Sequence, residues 1–418
     1  MRLVTLTENE IIITFIALAL LLVSATVFGN LLEKIKGPRV VGEILGGMLI
    51  GGSCLFILFP TFMKSIFFAF PEEGKVVNIF YQLGLIFLMF LSGYNTDIQV
   101  DKSNRKTILL VFIGATVLPM LGAIPFISMY QKYFIGEVQN QIAFSLVFCI
   151  GVAITSIPVI SKIFFDMGIM NTKFSNTILT VSTFQDLCLW ILLNMATRIA
   201  TTGNVKLSEM ILVVVITLGL FVLVHFASRY IKELKKDVPT KFLYSICFIL
   251  LLFVCACLSK VGINIMYSAF IVGYMVKAFI GTKKKSKEKM EYLEHIVFAF
   301  FVPIYFALVG IQLNVIHDFS LIRFITFFAV AFGLEFIGTW ILLLFSSMSR
   351  DMKMNFAITM NARGGPGIVL ATVAYANQII NIEFFTVLIL TTMISSMIAG
   401  YYLRYQQKKD PKIFNHLT

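Results

Sequence analysis

A single carboxylate, Asp186, lies in the middle of an apolar stretch, residues 174–198, and follows Gln185 directly. At about 1.5 Å per helical residue, the stretch places Asp186 near the centre of a hydrocarbon core about 30 Å thick. A carboxylate at that depth costs about 2.5–3.5 kcal/mol on insertion scales and normally faces a polar cavity on an ion or proton path. Asp186 is therefore predicted to bind an ion or a proton, and a packing aspartate bonded to a neighbouring helix is the alternative.

The preceding apolar stretch, residues 141–161, contains Thr155 and Ser156, and Pro158 follows them. Proline removes a helical hydrogen-bond donor, so the helix is expected to be interrupted there. Freed carbonyls and the two hydroxyls can ligate a dehydrated cation, while Asp186 supplies the opposite charge. Because burial disfavours the charged form of a carboxyl group, a proton and a cation compete for Asp186. Competition at one carboxylate predicts electroneutral 1:1 exchange. Asp186 is the one predicted metal ligand, and the metal is a monovalent cation.

A second polar interruption lies inside the apolar stretch 355–376, where Asn361 and Arg363 precede the run Gly-Gly-Pro-Gly at 364–367. We expect the helix to break at this glycine and proline run, since broken backbone at membrane depth occurs where it lines a cavity or is buried in protein. Glu335, in the apolar segment before it, is a further acid that needs a partner or a proton. Arg363 is the candidate partner, and a role for Glu335 as a second proton carrier is the alternative.

The whole chain has the composition of an all-α polytopic membrane protein. Of its 418 residues, 58% are hydrophobic and 13% are charged, whereas soluble domains have about 25% charged residues. The sequence contains about thirteen apolar segments long enough to cross a bilayer. Its interrupted fifth and twelfth segments run in opposite directions, which predicts an inverted-repeat transporter with two crossed discontinuous helices. The predicted repeats are residues 39–198 and 263–403 of one membrane domain, 1–418, which ends in a short cytoplasmic tail, 404–418.

The distribution of basic residues predicts the orientation of the chain. Most of the 34 Lys and Arg residues lie in loops that follow odd-numbered segments. The positive-inside rule then places the N-terminus outside and the C-terminus in the cytoplasm. The net charge of +12 is spread over these short loops, so we expect no nucleic-acid partner. The absence of a targeting peptide and the Lys- and Ile-rich composition favour a bacterial plasma (inner) membrane.

Four sequence blocks carry a resemblance to a known family: GPRVVGEILGGMLIGG (37–52), ITSIPVISKIFFDMGIMNTKFSNTILTVSTFQD (154–186), FFVPIYFALVGIQLNV (300–315) and MNARGGPGIVLATVA (360–374). With these blocks in order, the chain resembles the monovalent cation:proton antiporter-2 family over nearly its whole length. The resemblance implies thirteen spans, a homodimer, a mobile core domain and elevator-like alternating access.

Details of the resemblance bear on the transported ion. The pair Gln185-Asp186 is similar to the potassium efflux branch of the family, which favours K⁺ or mixed Na⁺/K⁺ exchange. That branch usually carries a nucleotide-binding regulatory domain, which we expect this chain to lack. Glu335 stands where many members of the family have a lysine, and this difference leaves the stoichiometry open.

Three other functions are alternatives to cation/proton exchange. A sodium-coupled symporter of organic anions needs further anion-binding groups, which the sequence does not identify. A sensor or receptor-like protein of the same fold has no reason to keep an unpaired acid at mid-membrane. An enzyme is not expected, because the sequence has no metal-ligand cluster, nucleophile motif or phosphate loop. We therefore expect no cofactor apart from the transported K⁺ or Na⁺ and H⁺.

Overall fold

A computed structural model of the chain describes residues 5–95, 104–170, 172–203, 240–261, 263–280, 284–317, 319–411 and 413–414, with positions 215 and 219. The regular elements in these ranges are helices, and one isolated bridge joins Ile135 to Ile380. The all-α prediction is therefore confirmed. The predicted seventh segment, residues 208–229, falls outside the described ranges except for the two single positions.

The first part of the chain forms helices that end before the gap at residue 204. They are α1 (Glu8–Lys34), α2 (Arg39–Ile50), α3 (Leu55–Leu58), α4 (Pro60–Phe67), α5 (Glu73–Asn95), α6 (Arg105–Phe112), α7 (Leu118–Phe134), α8 (Gln141–Val152), α9 (Ile157–Asp166) and α10 (Lys173–Thr202). A π-helical turn, Ile113–Val117, joins α6 to α7.

The second part begins at residue 240. Its helices are α11 (Thr240–Lys260), α12 (Ile265–Ile280), α13 (Lys284–Ile296), α14 (Val302–Gln312), α15 (Leu321–Leu343), α16 (Arg350–Met360), α17 (Gly364–Ala376) and α18 (Ile382–Lys409). Another π-helical turn, Val297–Phe301, joins α13 to α14. Within the described ranges, 10 helical stretches are long and apolar enough to cross a membrane, so the count of thirteen spans stays a prediction.

The first predicted helix break lies between α8 and α9, at residues 153–156. α9 restarts in an orderly way because the Ser156 side chain accepts a hydrogen bond from the Val159 backbone N–H at 3.3 Å, and Pro158 stands in the first turn, where no helical donor is needed. The break between α8 and α9 confirms the predicted discontinuous fifth segment.

The second break lies between α16 and α17, three residues earlier than the sequence suggested. The irregular residues are 361–363, whereas the Gly-Gly-Pro-Gly run at 364–367 forms the first turn of α17. The predicted discontinuous twelfth segment is therefore confirmed, with the Gly-Gly-Pro-Gly run on the helical side of the break. Pro366 fits a first helical turn because the donor it lacks has no partner there, and Gly364 supplies the positive φ of 41° that starts the turn.

One bundle consists of α1, α2, α5, α12 and α14, which pack closely against one another. Their close approach depends on glycines on both members of a pair. A Cβ on Gly47 of α2 would overlap the backbone of Ala307 in α14, and a Cβ on Gly93 of α5 would overlap Phe270 in α12. Gly273 of α12 faces α5 in the same way. Small residues allow such backbone contact between membrane helices.

The other bundle consists of α6 to α10 and α15 to α18, and it contains both broken helices. Stacked aromatic side chains fill one of its ends, where Phe134 and Phe384 lie 4.5 Å apart between ring centroids. Gly114 in the first π-helical turn meets the backbone of Gly338 in α15. All the site residues predicted from the sequence lie in this second bundle.

The predicted tail, 404–418, begins inside a helix, because α18 continues to Lys409. Beyond it, Phe414 is buried and its ring lies 4.9 Å from that of Phe174 in α10. The described end of the chain therefore packs on the second bundle.

Replacing Gly93 by alanine is expected to destabilise the protein by about 1–3 kcal/mol, the usual cost of overpacking. The reason is that the added Cβ would overlap backbone atoms of Phe270, which cannot move like a flexible side chain. Unfolding in detergent titrations measures the effect. Gly333→Ala is the matched control, since nothing lies within 4 Å of a Cβ there and alanine favours a helix by about 1 kcal/mol. Equal stability of the two variants would contradict the close contact.

Candidate functional site

Asp186 occupies the middle of α10 and is only 1% exposed. Neither of its carboxylate oxygens has a hydrogen-bond partner among the residues that the structure describes. A buried polar group normally has such a partner, and an exception calls for a water, an ion or a catalytic role. Asp186 therefore has both oxygens available for a cation or a proton.

The amide nitrogen of Gln185 donates hydrogen bonds to two backbone carbonyls and is therefore not available to a ligand. It donates to the carbonyl of Ala153 at 2.7 Å and to that of Ala115 at 3.1 Å. The Ala115 carbonyl lacks its α-helical donor, since position 119, four residues later, is proline. Gln185 thus ties the first helix break to the π-helical turn. Its Oε1 has no partner in the described part of the chain and can still face a ligand.

Glu335 and Arg363 form a fully buried ion pair. Arg363 Nη2 lies 2.8 Å from Glu335 Oε2, and the two side chains are 1% and 0% exposed. The same nitrogen donates to the carbonyls of Val152 at 2.9 Å and Ala331 at 3.0 Å. Arg363 therefore joins α15 to the end of α8, where helix carbonyls carry partial negative charge.

Thr155 and Ser156 lie where the two helix breaks meet. The Thr155 hydroxyl is 2.5 Å from the Met360 carbonyl and 3.2 Å from Glu335 Oε1, and its one hydrogen can serve only one of them. The backbone N–H of Ser156 donates to the Ala362 carbonyl at 2.6 Å. That carbonyl is available because Pro366 provides no helical donor. The breaks are therefore held together by groups that each helix leaves unpaired.

Asn361 takes part in the second break through its own helix. Its Nδ2 donates to the Ala357 carbonyl at 3.0 Å, whereas its Oδ1 has no partner among the described residues. Of the residues selected from the sequence, Thr155, Glu335 and Arg363 share one hydrogen-bonded cluster around the breaks, and Gln185 bonds the backbone of the first break at Ala153. Asp186 adjoins this cluster through Gln185 and forms no hydrogen bond with it.

A cavity of about 1030 Å³ leads from the surface towards this cluster. Its mouth carries charged side chains, including Arg39, Lys162 and Arg404, and its inner wall includes Pro158 and Thr183. Thr183 lies one helical turn before Asp186 on α10, so the cavity reaches the neighbourhood of the carboxylate without exposing it.

Sequence reasoning missed Glu43 as a buried acid of this cavity. It is 3% exposed and receives a hydrogen bond from Arg39 Nε at 2.9 Å. The i, i+4 spacing of Arg39 and Glu43 was the signal that could have indicated the pair. Thr180 and Thr183 were also missed, although both lie within two turns of Asp186 and line the cavity.

An unpaired acid beside two broken helices, at the inner end of a cavity in a membrane bundle, is the arrangement of an ion-coupled secondary transporter. The family model described as "Sodium/hydrogen exchanger, transmembrane" matches residues 18–405. The chain therefore belongs to this family of transporters, and the predicted resemblance to cation/proton antiporters is confirmed.

Relatives of known name support the same assignment. The chain is 24% identical to a Na⁺/H⁺ antiporter of Enterococcus hirae, with 94% of this chain and 97% of the relative covered. It is 24% identical to the Na⁺/H⁺-K⁺ antiporter GerN of Bacillus cereus, with coverage of 94% and 95%. It is also 25% identical to K⁺/H⁺ antiporter 1 of Saccharomyces cerevisiae, covering 88% of this chain and 43% of that one. The chain spans about half the length of the plant and yeast relatives that it matches.

A solved structure agrees with the fold. The sodium proton antiporter MjNhaP1 from Methanocaldococcus jannaschii superimposes with a TM-score of 0.67 at 16% sequence identity, covering 98% of this chain and 99% of that one.

Proposed function

We propose that this chain exchanges a monovalent cation, K⁺ and/or Na⁺, for protons across the plasma membrane. The observation that carries the proposal is the contrast between two buried acids: Asp186 has no partner in the described residues, whereas Glu335 is paired with Arg363. The unpaired acid is the one that can take up a cation or a proton. Relatives named for Na⁺/H⁺ and K⁺/H⁺ antiport support both cations as candidates.

Cation and proton compete for Asp186, and we assign Gln185 Oε1 and the hydroxyls of Thr155 and Ser156 at the first break as further oxygen ligands. The carbonyl of Ile154 is one more ligand, because Pro158, four residues later, has no N–H to donate to it. Movement is restricted to the neutralised site, so that one cation returns for each proton. Glu335, Arg363 and Asn361 support the helix breaks and carry no ion. The exchange is therefore electroneutral.

Alternating access requires that the bundle holding Asp186 moves against the bundle of α1, α2, α5, α12 and α14. The helix pairings support the predicted repeats, 39–198 and 263–403. α2, the first helix of one repeat, packs on α14, the second helix of the other repeat. In the same way α5, the second helix of the first repeat, packs on α12, the first helix of the second repeat. Gly114 and Gly338 join the third helices of both repeats. A homodimer, with the N-terminus outside and the C-terminus in the cytoplasm, completes the proposal.

Reconstituted vesicles test this function. After a pH gradient is imposed, addition of KCl or NaCl should dissipate it, whereas choline chloride should not. In the acidic range, the apparent Kd for the cation should rise by about tenfold for each unit by which the pH falls, because protons occupy the same carboxylate. A pH-sensitive dye measures both quantities.

Two results would contradict the proposal. Folded protein that responds to neither cation would favour a sensor of the same fold. Flux that changes with an imposed membrane potential would require a second carried charge, and would reassign Glu335 as a proton carrier.

A further inference from the structure

Four side chains on α10 form a row with the spacing i, i+4: Ser182, Asp186, Trp190 and Asn194. Residues four apart lie one above another on a helix, so the row extends about 18 Å along α10. Each side chain is at most 4% exposed. Each also has a polar atom without a hydrogen-bond partner in the described ranges, namely Ser182 Oγ, both Asp186 oxygens, Trp190 Nε1 and Asn194 Nδ2.

Such a row is costly unless water or an ion satisfies it. A buried unpaired polar group costs about 1–3 kcal/mol, and the cost recurs here at every turn of one helix. Neighbouring positions on α10, such as Val181 and Leu193, are apolar and buried. Polar atoms in a file are the usual lining of a hydrated path, since a buried water makes about three hydrogen bonds to groups of this kind.

The cavity and the row follow successive parts of α10 and overlap in sequence at residues 182–183. The cavity is lined by Asn176, Thr180 and Thr183 of this helix and ends one turn before Asp186. The row continues from Ser182 past Asp186 towards the other end of the helix. Together they extend over residues 176–194 of α10, with Asp186 one turn beyond the last cavity residue.

The far end of the row is closed by a contact between the two bundles. Asn194 Oδ1 accepts a hydrogen bond from the backbone N–H of Asn264 at 2.5 Å. Asn264 precedes α12 and caps it, because its Oδ1 accepts from the Met266 N–H at 2.9 Å. One turn further along α10, Arg198 donates to the carbonyl of Val261 at 3.2 Å. Movement of one bundle against the other must break these bonds.

We propose that the row Ser182, Asp186, Trp190 and Asn194 is the second half of the ion path, and that the Asn194–Asn264 bond is its gate. The inference deepens the proposed exchange and rests on it. In the state described here the gate is shut and the cavity on the opposite side is open. When the bundles shift, the gate opens, and water reaches Trp190 and then Asp186 from the far side.

Tryptophan fluorescence tests the gate directly. The chain has 2 tryptophans, so Trp340→Phe leaves Trp190 as the single tryptophan, which can be excited selectively. In this background Asn194→Ala removes the acceptor of the gate. We expect quenching of Trp190 by external acrylamide to increase at least about twofold. The matched control is Trp190→Phe with Asn194→Ala, in which the remaining Trp340 on α15 should show unchanged quenching.

A second pair of variants changes Asn264, whose backbone N–H is the donor of the gate bond. These variants test the gate even if Asn194→Ala fails to fold. Asn264→Pro eliminates the backbone N–H, whereas Asn264→Ala eliminates only the cap of α12. Greater quenching of Trp190 in the proline variant than in the alanine variant supports the gate. Unchanged quenching in folded Asn194→Ala and Asn264→Pro proteins would overturn it. Vesicle exchange by the Trp340→Phe protein reports separately on the proposed function, so its failure is distinct from that of the gate.

Discussion

Asp186→Asn should reduce K⁺- and Na⁺-driven dissipation of a pH gradient to the level seen with choline. Asparagine has nearly the size of aspartate but can neither carry a proton nor neutralise a cation. The protein should remain folded, because the carboxylate has no partner among the described residues that the substitution would deprive. Removing a buried, unpaired acid relieves a desolvation cost, so thermal unfolding should occur at the same or a higher temperature. Dye-loaded vesicles and thermal unfolding in detergent measure the two effects.

Gln185→Leu is the companion variant for this experiment. It leaves the acid in place but removes the donors to Ala153 and Ala115. We expect lower stability together with residual exchange, the reverse of the Asp186→Asn pattern. Cation-driven exchange that persists in Asp186→Asn would exclude competition at this carboxylate.

Breaking the Glu335–Arg363 pair on one side is expected to cost about 3–5 kcal/mol of folding free energy, because the remaining charge stays buried without its partner. Glu335→Gln should be the more damaging single variant, since a guanidinium loses a proton far less readily than a carboxylate gains one. The double variant Glu335→Gln, Arg363→Gln should recover a large part of the loss. Unfolding titrations on the two single variants and the double variant form a complete cycle.

Exchange by the double variant distinguishes a structural pair from a transporting one. Asp186 is intact in it, so cation-driven dissipation should persist at a reduced rate, insensitive to membrane potential. If the double variant folds but exchanges nothing, Glu335 carries a proton in the cycle.

Much of this architecture follows from local chemistry. Apolar length predicts the spans, and Pro158 predicts the first break, because a proline cannot supply the donor that a continuous helix needs. Asp186 was identifiable because a carboxylate at mid-membrane is rare unless it has a function. The Glu335–Arg363 contact was a reasonable expectation for the same reason, since buried charges seek partners.

Other features depend on tertiary contacts that no local pattern contains. The second break precedes Gly364 because the first turn of a helix accepts glycine and proline, and the sequence does not reveal which side of the run is helical. The assignment of the Gln185 amide to Ala115 and Ala153 requires the packing of α10 against the π-helical turn and α8. The cavity and the buried state of Glu43 likewise arise only when separate helices assemble.

The bond between the Ser156 N–H and the Ala362 carbonyl also has a consequence for biosynthesis. At a synthesis rate of about 5–20 residues per second, the acceptor emerges from the ribosome roughly 10–40 s after the donor. During that interval the first broken helix has backbone groups that lipid cannot satisfy. The nascent amino-terminal half must therefore wait, hydrated or sheltered by the insertion machinery, until α16 and α17 arrive. Assembly of the ion site is consequently among the last events in the maturation of the chain.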